Sequence, residues 1–409
     1  MIELDTPIGV LDIGSEKSKF IIFSISGSEN KVQILANTII KTEGVKKGII
    51  SDINKLSNVI NELIGKAEDI IKKQIDKIYI SISPLNFYFT SFCQSKFIGD
   101  HEIDEIKDLQ FLVTSGINLF HSSHEEKKII HVLNYNLRID KKNIVENPCG
   151  LSADSLENDI AIISCNKNTY KNYQKLIKKS YLKFENFIYS PYSLIASIFY
   201  ENPLADSFLV IDFGHEKISI SIFVNKNFIY STSIAIGSRY ITSDISKGLN
   251  LNYDVAEKLK VDYAHCNQMK SQQNNNYLDI DDKEIKFFKK VSNDILNNIT
   301  NSRTEEIINL INNEILSLNL KNITFNKIIY TGKGCRLTGF EDILKKKIKV
   351  KTLLFEKYEN YLNLKEYLSD DYDICLSIIS LIKNKYNPEI KILKNKKENF
   401  FDKFYTIFN

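Results

Sequence analysis

The sequence has no tryptophan, and its six cysteines are widely spaced, at Cys93, Cys149, Cys165, Cys266, Cys335 and Cys375. Cysteines that bind zinc or form a small disulfide framework stand close together at characteristic spacings. The observed spacing therefore argues against both classes of domain. A chain whose cysteines do not pair is expected in a reducing compartment.

An excess of one charge is also absent. Lys and Arg number 54 and Asp and Glu 51, which leaves a net charge of +3 and removes the main electrostatic argument for nucleic-acid binding. There is no run of 18 uncharged apolar residues, and the first seven residues are acidic where an export signal is basic. We therefore expect neither a membrane-spanning helix nor a signal peptide.

The 409 residues, 43% of them hydrophobic, are enough for two or three domains with real cores. Two segments share one pattern, in which an apolar strand ends in Asp-x-Gly and a second strand follows a short polar turn. The first contains Asp12-Ile13-Gly14 and the second, 200 residues later, Asp212-Phe213-Gly214. This repeat predicts two related domains that face each other across a cleft.

Apolar spacing predicts further elements along the chain. Helices are expected at 55–73, 103–115, 191–200 and 305–318, strands at 78–82, 129–133, 160–164 and 327–330, a flexible loop at 271–276 and a linker from 384 to 397. Residues 84–166 form a separate strand–helix–strand–strand group and are interpreted as an insertion.

A strand that ends in Asp followed by a glycine turn suits nucleotide phosphates, because glycine exposes backbone N–H groups and the carboxylate can order a hydrated Mg²⁺. One such loop alone is more often an ordinary hairpin. A third glycine-rich turn follows the strand at 327–330 and reads Gly332-Lys333-Gly334-Cys335-Arg336. Three such turns favour a nucleotide site, with the third one offering a flat surface to adenosine.

Several further segments carry a resemblance to the actin-like ATPases and, within them, to the FtsA family of bacterial cell division proteins. They are Gly-Val-Lys-Lys-Gly-Ile-Ile-Ser-Asp-Ile at 44–53, Ile-His-Val-Leu at 130–133, Asn-Pro-Cys-Gly-Leu-Ser at 147–152, and the segments 241–249, 256–260 and 303–307. Their order and spacing resemble the family over nearly the whole chain.

The resemblance implies an α/β fold of the actin-like type, with two lobes around a nucleotide cleft, an inserted subdomain and a C-terminal amphipathic helix. The implied subdomains are 1A at 1–83, 167–202 and 373–385, 1C at 84–166, 2A at 203–240 and 325–372, and 2B at 241–324, followed by a linker at 386–397 and the helix at 398–409.

The resemblance also implies that ATP and Mg²⁺ bind in the cleft. The nucleotide-binding residues that it implies are Asp12, Gly14, Ser15, Lys17, Ser18, Asp212, Gly214, His215, Lys217, Gly237, Glu257, Lys260, Gly332, Gly334 and Arg336. Among them, Asp12 and Asp212 are the expected metal ligands, and Glu257 and Lys260 are expected beside the ribose or adenine.

The chain departs from the family at its phosphate loops. His215-Glu216-Lys217 stands where Gly-Gly-Thr is usual, Glu16 stands where a small hydroxyl residue is usual, and Ser190 replaces a Gln or Glu that would position water. We therefore expect slow or absent ATP hydrolysis. Lys17, Lys217 and Lys333 either offer ammonium groups to the phosphates or are solvated turn residues.

The last twelve residues, 398–409, form an amphipathic pattern. Six apolar side chains lie in one arc of roughly 160°: Phe400, Phe401, Phe404, Tyr405, Ile407 and Phe408. A helix of this length, about 18 Å, cannot cross a bilayer core of about 30 Å. It would either dock on the protein or lie on an anionic membrane, and the polar, lysine-containing linker before it favours the membrane.

Membership of the family would imply a division protein that tethers filaments of the tubulin-like FtsZ to the inner face of the cytoplasmic membrane at the division site. It would also form actin-like filaments of its own and contact other division proteins. Arg303 is expected to hold acidic groups of the FtsZ C-terminal peptide, or else simply to pair with Glu305 or Glu306. The alternatives are a PilM-like pilus-assembly adaptor and a small-molecule kinase of the same superfold.

Overall fold

The structure is a computed structural model that describes residues 6–26, 31–145, 147–201, 207–225, 227–266, 277–282, 287–318, 323–350, 352–358 and 369–384. Its contacts divide the chain into two compact units. The first comprises Met1–Leu85 with Asn172–Ser380, and the second comprises Asn86–Lys171 with Leu381–Asn409.

The first unit contains two five-stranded sheets, each the centre of what we call a lobe. The elements of the first lobe are β1 (Ile8–Ile13), β2 (Lys17–Ile25), β3 (Val32–Lys41), the short β4 (Val45–Lys46) and β5 (Ile49–Ile50), α1 (Ile53–Ile71), β6 (Ile78–Ile82), β11 (Phe184–Tyr189) and α4 (Ser190–Glu201). The strand order of its sheet is β11-β6-β1-β2-β3. Helix α1 packs its apolar face on β2 and β3.

The second lobe follows in the sequence. Its elements are β12 (Ser207–Phe213), β13 (Ile218–Val224), β14 (Asn227–Ile234), α5 (Ser238–Gly248), α6 (Tyr253–Asp262), β15 (Tyr277–Asp282), β16 (Phe287–Ser292), α7 (Asn293–Ser317), β17 (Phe325–Thr331), α8 (Phe340–Lys347) and β18 (Thr352–Lys357), with α9 (Asp373–Lys383) after it. The strand order of its sheet is β14-β13-β12-β17-β18.

The two sheets have the same topology. In each, the strand that carries the Asp-x-Gly pattern is central, with an antiparallel hairpin partner on one side and a parallel strand on the other. Asp12 lies opposite Lys19 and Ser81, and Asp212 lies opposite Ser219 and Thr331. The 200-residue repeat in the sequence therefore corresponds to two copies of one sheet.

The second unit is built on a separate sheet of four antiparallel strands in the order β7-β10-β8-β9. Its elements are β7 (Phe87–Phe97), a π-helical turn (Glu105–Gln110), α2 (Phe111–Ser123), β8 (Lys127–Ile139), β9 (Asn143–Val145), β10 (Ser155–Asn166) and the start of α3 (Lys167–Lys179). Helix α2 covers one face of the sheet, where Phe120 packs with Val132 and Ile160.

Most of the predicted elements are present, and their ends differ for local reasons. Strand β6 has the predicted bounds, whereas the helix expected at 305–318 begins twelve residues earlier, because the side chain of Ser292 accepts a hydrogen bond from the backbone N–H of Ile295. The regular α-helix expected at 103–115 begins at Phe111 and is preceded by the π-helical turn, which the side chain of Asp104 caps.

No helix in the described part of the chain is long and apolar enough to span a membrane. The predicted loop at 271–276, the linker at 386–397 and the amphipathic segment at 398–409 lie outside the described residues. They therefore remain predictions.

Candidate functional site

The two Asp-x-Gly loops have the same backbone construction. A Cβ atom on Gly14 would lie 2.6 Å from the carbonyl oxygen of Lys17, and one on Gly214 would lie 2.9 Å from that of Lys217. Real Cβ atoms do not approach backbone this closely, so each turn requires glycine. Both loops therefore expose backbone at the end of a central strand.

The third loop packs directly on the second one. Gly332 has a φ of +91°, and a Cβ there would lie 2.5 Å from the carbonyl oxygen of Phe213. A Cβ on Gly334 would lie 2.4 Å from the Phe213 ring. The glycines of the third loop thus allow β17 to end against β12, which brings the two loops of the second lobe together.

The three loops line one cleft in the first unit. Ten of the predicted nucleotide-binding residues line it: Asp12, Gly14, Ser15, Lys17, Asp212, Gly214, His215, Lys217, Gly332 and Arg336.

Five predicted residues are not part of the described cleft wall. Ser18 is buried and shares a hydrogen bond of 2.8 Å with Thr42 Oγ1. Gly237 begins α5 behind the second loop, where a Cβ would lie 2.4 Å from the carbonyl oxygen of His215. Gly334 packs on Phe213, as described above. For these residues the local packing explains the residue type without a ligand.

The other two, Glu257 and Lys260, form a partly buried network that joins α6 to Thr242 on α5. Lys260 Nζ donates to Glu257 Oε2 at 2.7 Å and to Thr242 Oγ1 at 2.8 Å. Burial lowers the pKa of His215 in the cleft. The charge of Lys260 adds to this shift, whereas the charges of Glu16 and Glu257 oppose it. Glu257 and Lys260 therefore lie near His215.

Buried charges of opposite sign meet on the floor of the cleft. Lys19 Nζ lies 2.7 Å from Asp12 Oδ2. Burial alone would lower the pKa of Lys19, but Asp12 reverses this and the pKa is raised. Burial lowers the pKa of Lys217 to about 8, although Asp212 and Asp12 oppose the shift. Burial likewise raises the pKa of Asp212, against the effect of Lys217.

A second group of charges joins the three loops at the cleft wall. Glu16 Oε2 lies 3.0 Å from Lys333 Nζ and 3.7 Å from His215 Nδ1. Burial would raise the pKa of Glu16, but Lys333 and His215 outweigh it and the pKa is lowered. Asp371 pairs with Arg336 at 2.8 Å and with Lys17 at 3.5 Å.

The sequence interpretation missed several residues that line the cleft. Lys19 had a signal, since it is a charged residue in an apolar strand directly opposite Asp12. Ser81, another residue that was missed, shares a hydrogen bond of 2.7 Å with Ser190 beneath the cleft. Asp371 and Asp373 come from the beginning of the last described helix and the turn before it, far away in sequence, and no local pattern marks them.

Arg303 lies in the middle of α7, whereas the helix predicted at 305–318 would have placed it just before a helix start, so the sequence interpretation is corrected here. Its Nε lies 2.5 Å from Asp244 Oδ2 on α5, and its Nη1 lies 2.8 Å from Glu306 Oε2. The sequence analysis gave pairing with Glu305 or Glu306 as the alternative to peptide binding, and the pair with Glu306 is present. A shallow depression surrounds the guanidinium, lined by Asp244, Lys247, Asn298, Ile299, Ser302, Arg303 and Glu306.

Two family models match the sequence. The model of cell division protein FtsA matches residues 209–369, and the model of the SHS2 domain inserted in FtsA matches residues 98–164. The second match falls within the unit that contains β7 to β10. Together the matches lie in both units of the chain.

Sequence relatives agree with the family models. The chain is 25% identical over 405 residues to cell division protein FtsA of Buchnera aphidicola subsp. Acyrthosiphon pisum, covering 96% of this chain and 93% of the relative. It is 24% identical over 349 residues to the FtsA of Agrobacterium fabrum, covering 82% and 77%.

Solved structures show the same fold at low sequence identity. A chain of the PilM-PilN type IV pilus biogenesis complex aligns with a TM-score of 0.62 and 13% identity, covering 92% of this chain and 98% of that one. MreB5 of Spiroplasma citri bound to ADP aligns with a TM-score of 0.52 and 11% identity, covering 93% and 98%. The predicted actin-like fold is thus confirmed, and the chain belongs to the FtsA family of cell division proteins within the actin-like ATPase superfamily.

Proposed function

We propose that the chain binds ATP with Mg²⁺ in the three-loop cleft and uses the nucleotide to control lobe closure and self-association. The observation that carries the proposal is the convergence of three glycine turns and five cationic side chains on one cleft. The fold supports it, because MreB5 of Spiroplasma citri, which shares that fold, has been solved with ADP and with AMPPNP.

The residues present fit a magnesium nucleotide. Glycine backbones and the ammonium groups of Lys17, Lys217 and Lys333 suit phosphates, and His215 Nδ1 is a buried polar atom without a hydrogen-bond partner in the described structure. Among the described residues no three acidic, His or Cys side chains form a metal cluster. Asp12 and Asp212 would hold Mg²⁺ together with phosphate and water oxygens, as is usual for this ion.

ATP turnover is proposed to be slow or absent. Ser190 begins α4 at the cleft floor, and its hydroxyl shares a hydrogen bond with Ser81. A serine in this position cannot accept a proton from water as a carboxylate does at neutral pH. ATP would then act mainly as a structural ligand, and its removal would loosen the two lobes.

The division role is inferred from family membership, and we assign it to the depression around Arg303 and to the sequence segment 398–409. The depression around Arg303 is proposed to receive acidic groups of the FtsZ C-terminal peptide, which would compete with Asp244 and Glu306 for the guanidinium. Residues 398–409 are proposed to lie on the inner face of the cytoplasmic membrane at the division site. Together they would link FtsZ filaments to the membrane, and the chain would also form filaments and contact other division proteins.

The first prediction concerns the metal and the nucleotide. Asp12→Ala and Asp212→Ala should each weaken ATP binding at least about tenfold, a loss of about 1.4 kcal/mol, because each removes one of two carboxylates that face the ion. EDTA should weaken binding to the natural chain similarly. Asp69→Ala, on the exposed face of α1, is the matched control. Natural affinity in both cleft variants, measured by calorimetric titration, would refute the site.

The second prediction follows from the pKa of about 8 for Lys217. Above pH 8 its amine is mostly neutral, and a nearby phosphate would favour the charged form. ATP binding at about pH 9 should therefore be accompanied by the uptake of up to about one proton, and this uptake should vanish below pH 7, where Lys217 is already charged. Calorimetry in two buffers of different ionisation enthalpy measures it. Lys217→Met should abolish the uptake, and equal uptake in both chains contradicts the assignment.

The third prediction separates the two surfaces in a vesicle flotation assay with FtsZ filaments and anionic vesicles. Phe404→Glu puts a carboxylate in the apolar arc, so neither this chain nor FtsZ should float. Arg303→Gln should float normally but carry at least about fivefold less FtsZ, because it loses the charge that holds acidic groups. Lys66→Glu, on the exposed face of α1, controls for charge. If Phe404→Glu floats like the natural chain, the tail does not anchor it.

A further inference from the structure

The two Asp-x-Gly loops share more than the aspartate and the glycine. Glu16-Lys17 in the first loop and Glu216-Lys217 in the second stand at equivalent positions, 200 residues apart. Both glutamates line the cleft. Each turn thus presents one acidic side chain at the place where the chain approaches the other lobe.

The side chain of Glu16 leaves the first lobe and contacts both loops of the second. Its Oε2 atom lies 3.0 Å from Lys333 Nζ in the third loop and 3.7 Å from His215 Nδ1 in the second. The carboxylate is one-quarter exposed. Its two neighbours are a cation and a nitrogen that would otherwise be available to an anion in the cleft.

The side chain of Glu216 makes the reciprocal contact. Its Oε2 atom accepts a hydrogen bond of 2.5 Å from the backbone N–H of Lys47, which lies in the turn between β4 and β5 of the first lobe. Its Oε1 atom lies 2.5 Å from Arg239 Nη1 at the start of α5. Glu216 is 6% exposed, so this contact is more buried than that of Glu16.

Three of the other four cations of the cleft also pair with carboxylates of the chain, whereas Lys217 donates to the hydroxyl groups of Ser83 and Ser219. Lys19 pairs with Asp12, and Arg336 and Lys17 pair with Asp371. A phosphate group can therefore reach Lys17, Lys19, Lys333 or Arg336 only by competing with a carboxylate for that cation. Glu16 is the one placed on the loop tip beside both Lys333 and His215.

We propose that Glu16 and Glu216 form two interlobe contacts, and that Glu16 is an internal competitor of phosphate for Lys333 and His215, so that it sets the affinity of the cleft for nucleotide anions. Glu216 is buried and accepts hydrogen bonds from two donors, so it keeps the lobes in contact when phosphate displaces Glu16 from Lys333 and His215. The competition rests on the proposed nucleotide binding, whereas the interlobe contacts do not.

The competition is tested by titrating ATP, and separately inorganic triphosphate, into the natural chain and into Glu16→Gln. The neutral amide gives up Lys333 more readily and does not repel phosphate, so both ligands should bind about tenfold more tightly. Glu62→Gln, which removes a carboxylate paired with Lys66 on the surface of α1, should change nothing. Equal or weaker binding by Glu16→Gln would overturn the competition.

The interlobe contacts are tested without any ligand by amide hydrogen exchange. In Glu216→Ala the Lys47 amide should exchange at least about tenfold faster, because it loses its acceptor, and Glu216→Gln should keep part of the protection through its amide oxygen. Unchanged exchange in Glu216→Ala would overturn this contact. If ATP binds no variant and exchange still responds, the nucleotide proposal fails while the interlobe contacts stand.

Discussion

Charges that are removed from water must be neutralised nearby, and this constraint governs the cleft. Transfer of an unpaired carboxylate or ammonium group into a protein interior is prohibitively costly. In the described structure Asp12 faces Lys19, Glu16 faces Lys333, and Asp371 faces Arg336. Because the pair of Glu16 with Lys333 joins loops that are 317 residues apart in the sequence, the same electrostatics that makes burial tolerable also positions the loops.

The repeated sheet explains why the charges converge. A central strand with a parallel neighbour and an antiparallel hairpin ends at one edge of its sheet, and in both lobes the aspartate lies one residue before that end. Gly14 and Gly214 then permit identical turns. Within the described segments, the third loop has a counterpart nowhere in the first lobe, and in the second lobe Gly332 and Gly334 allow it to pack against Phe213. The asymmetry of the cleft thus arises from one additional turn.

The sequence was sufficient for the fold wherever local chemistry determines it. The two Asp-x-Gly turns, β6 and the apolar face of α1 were all recognisable from residue types and periodicity. The start of α7 was placed too late, since the polar residues after Ser292 hide the first turns of a long helix with a weak apolar stripe. Long strands such as β8 and β10 were predicted too short, because only their buried centres are continuously apolar.

The site was predictable in part for the same reason. Glycine turns can be recognised from the local sequence, but the residues that pair with a charged side chain cannot. Asp371 is more than 300 residues from Lys17 in the sequence, and only the fold brings them within 3.5 Å. Gly237 and Gly334 show the opposite case, in which a glycine expected to face the ligand has a sufficient reason in packing alone.

One nucleotide that contacts loops from both lobes should protect all of them at once. Hydrogen exchange of the full chain, measured with and without ATP and Mg²⁺, is the decisive test. We expect slower exchange at 12–17, at 212–217 and at 332–336 together, and little change in the four-stranded sheet of the second unit. Protection of loops in only one lobe, or of none of the three, would contradict this expectation.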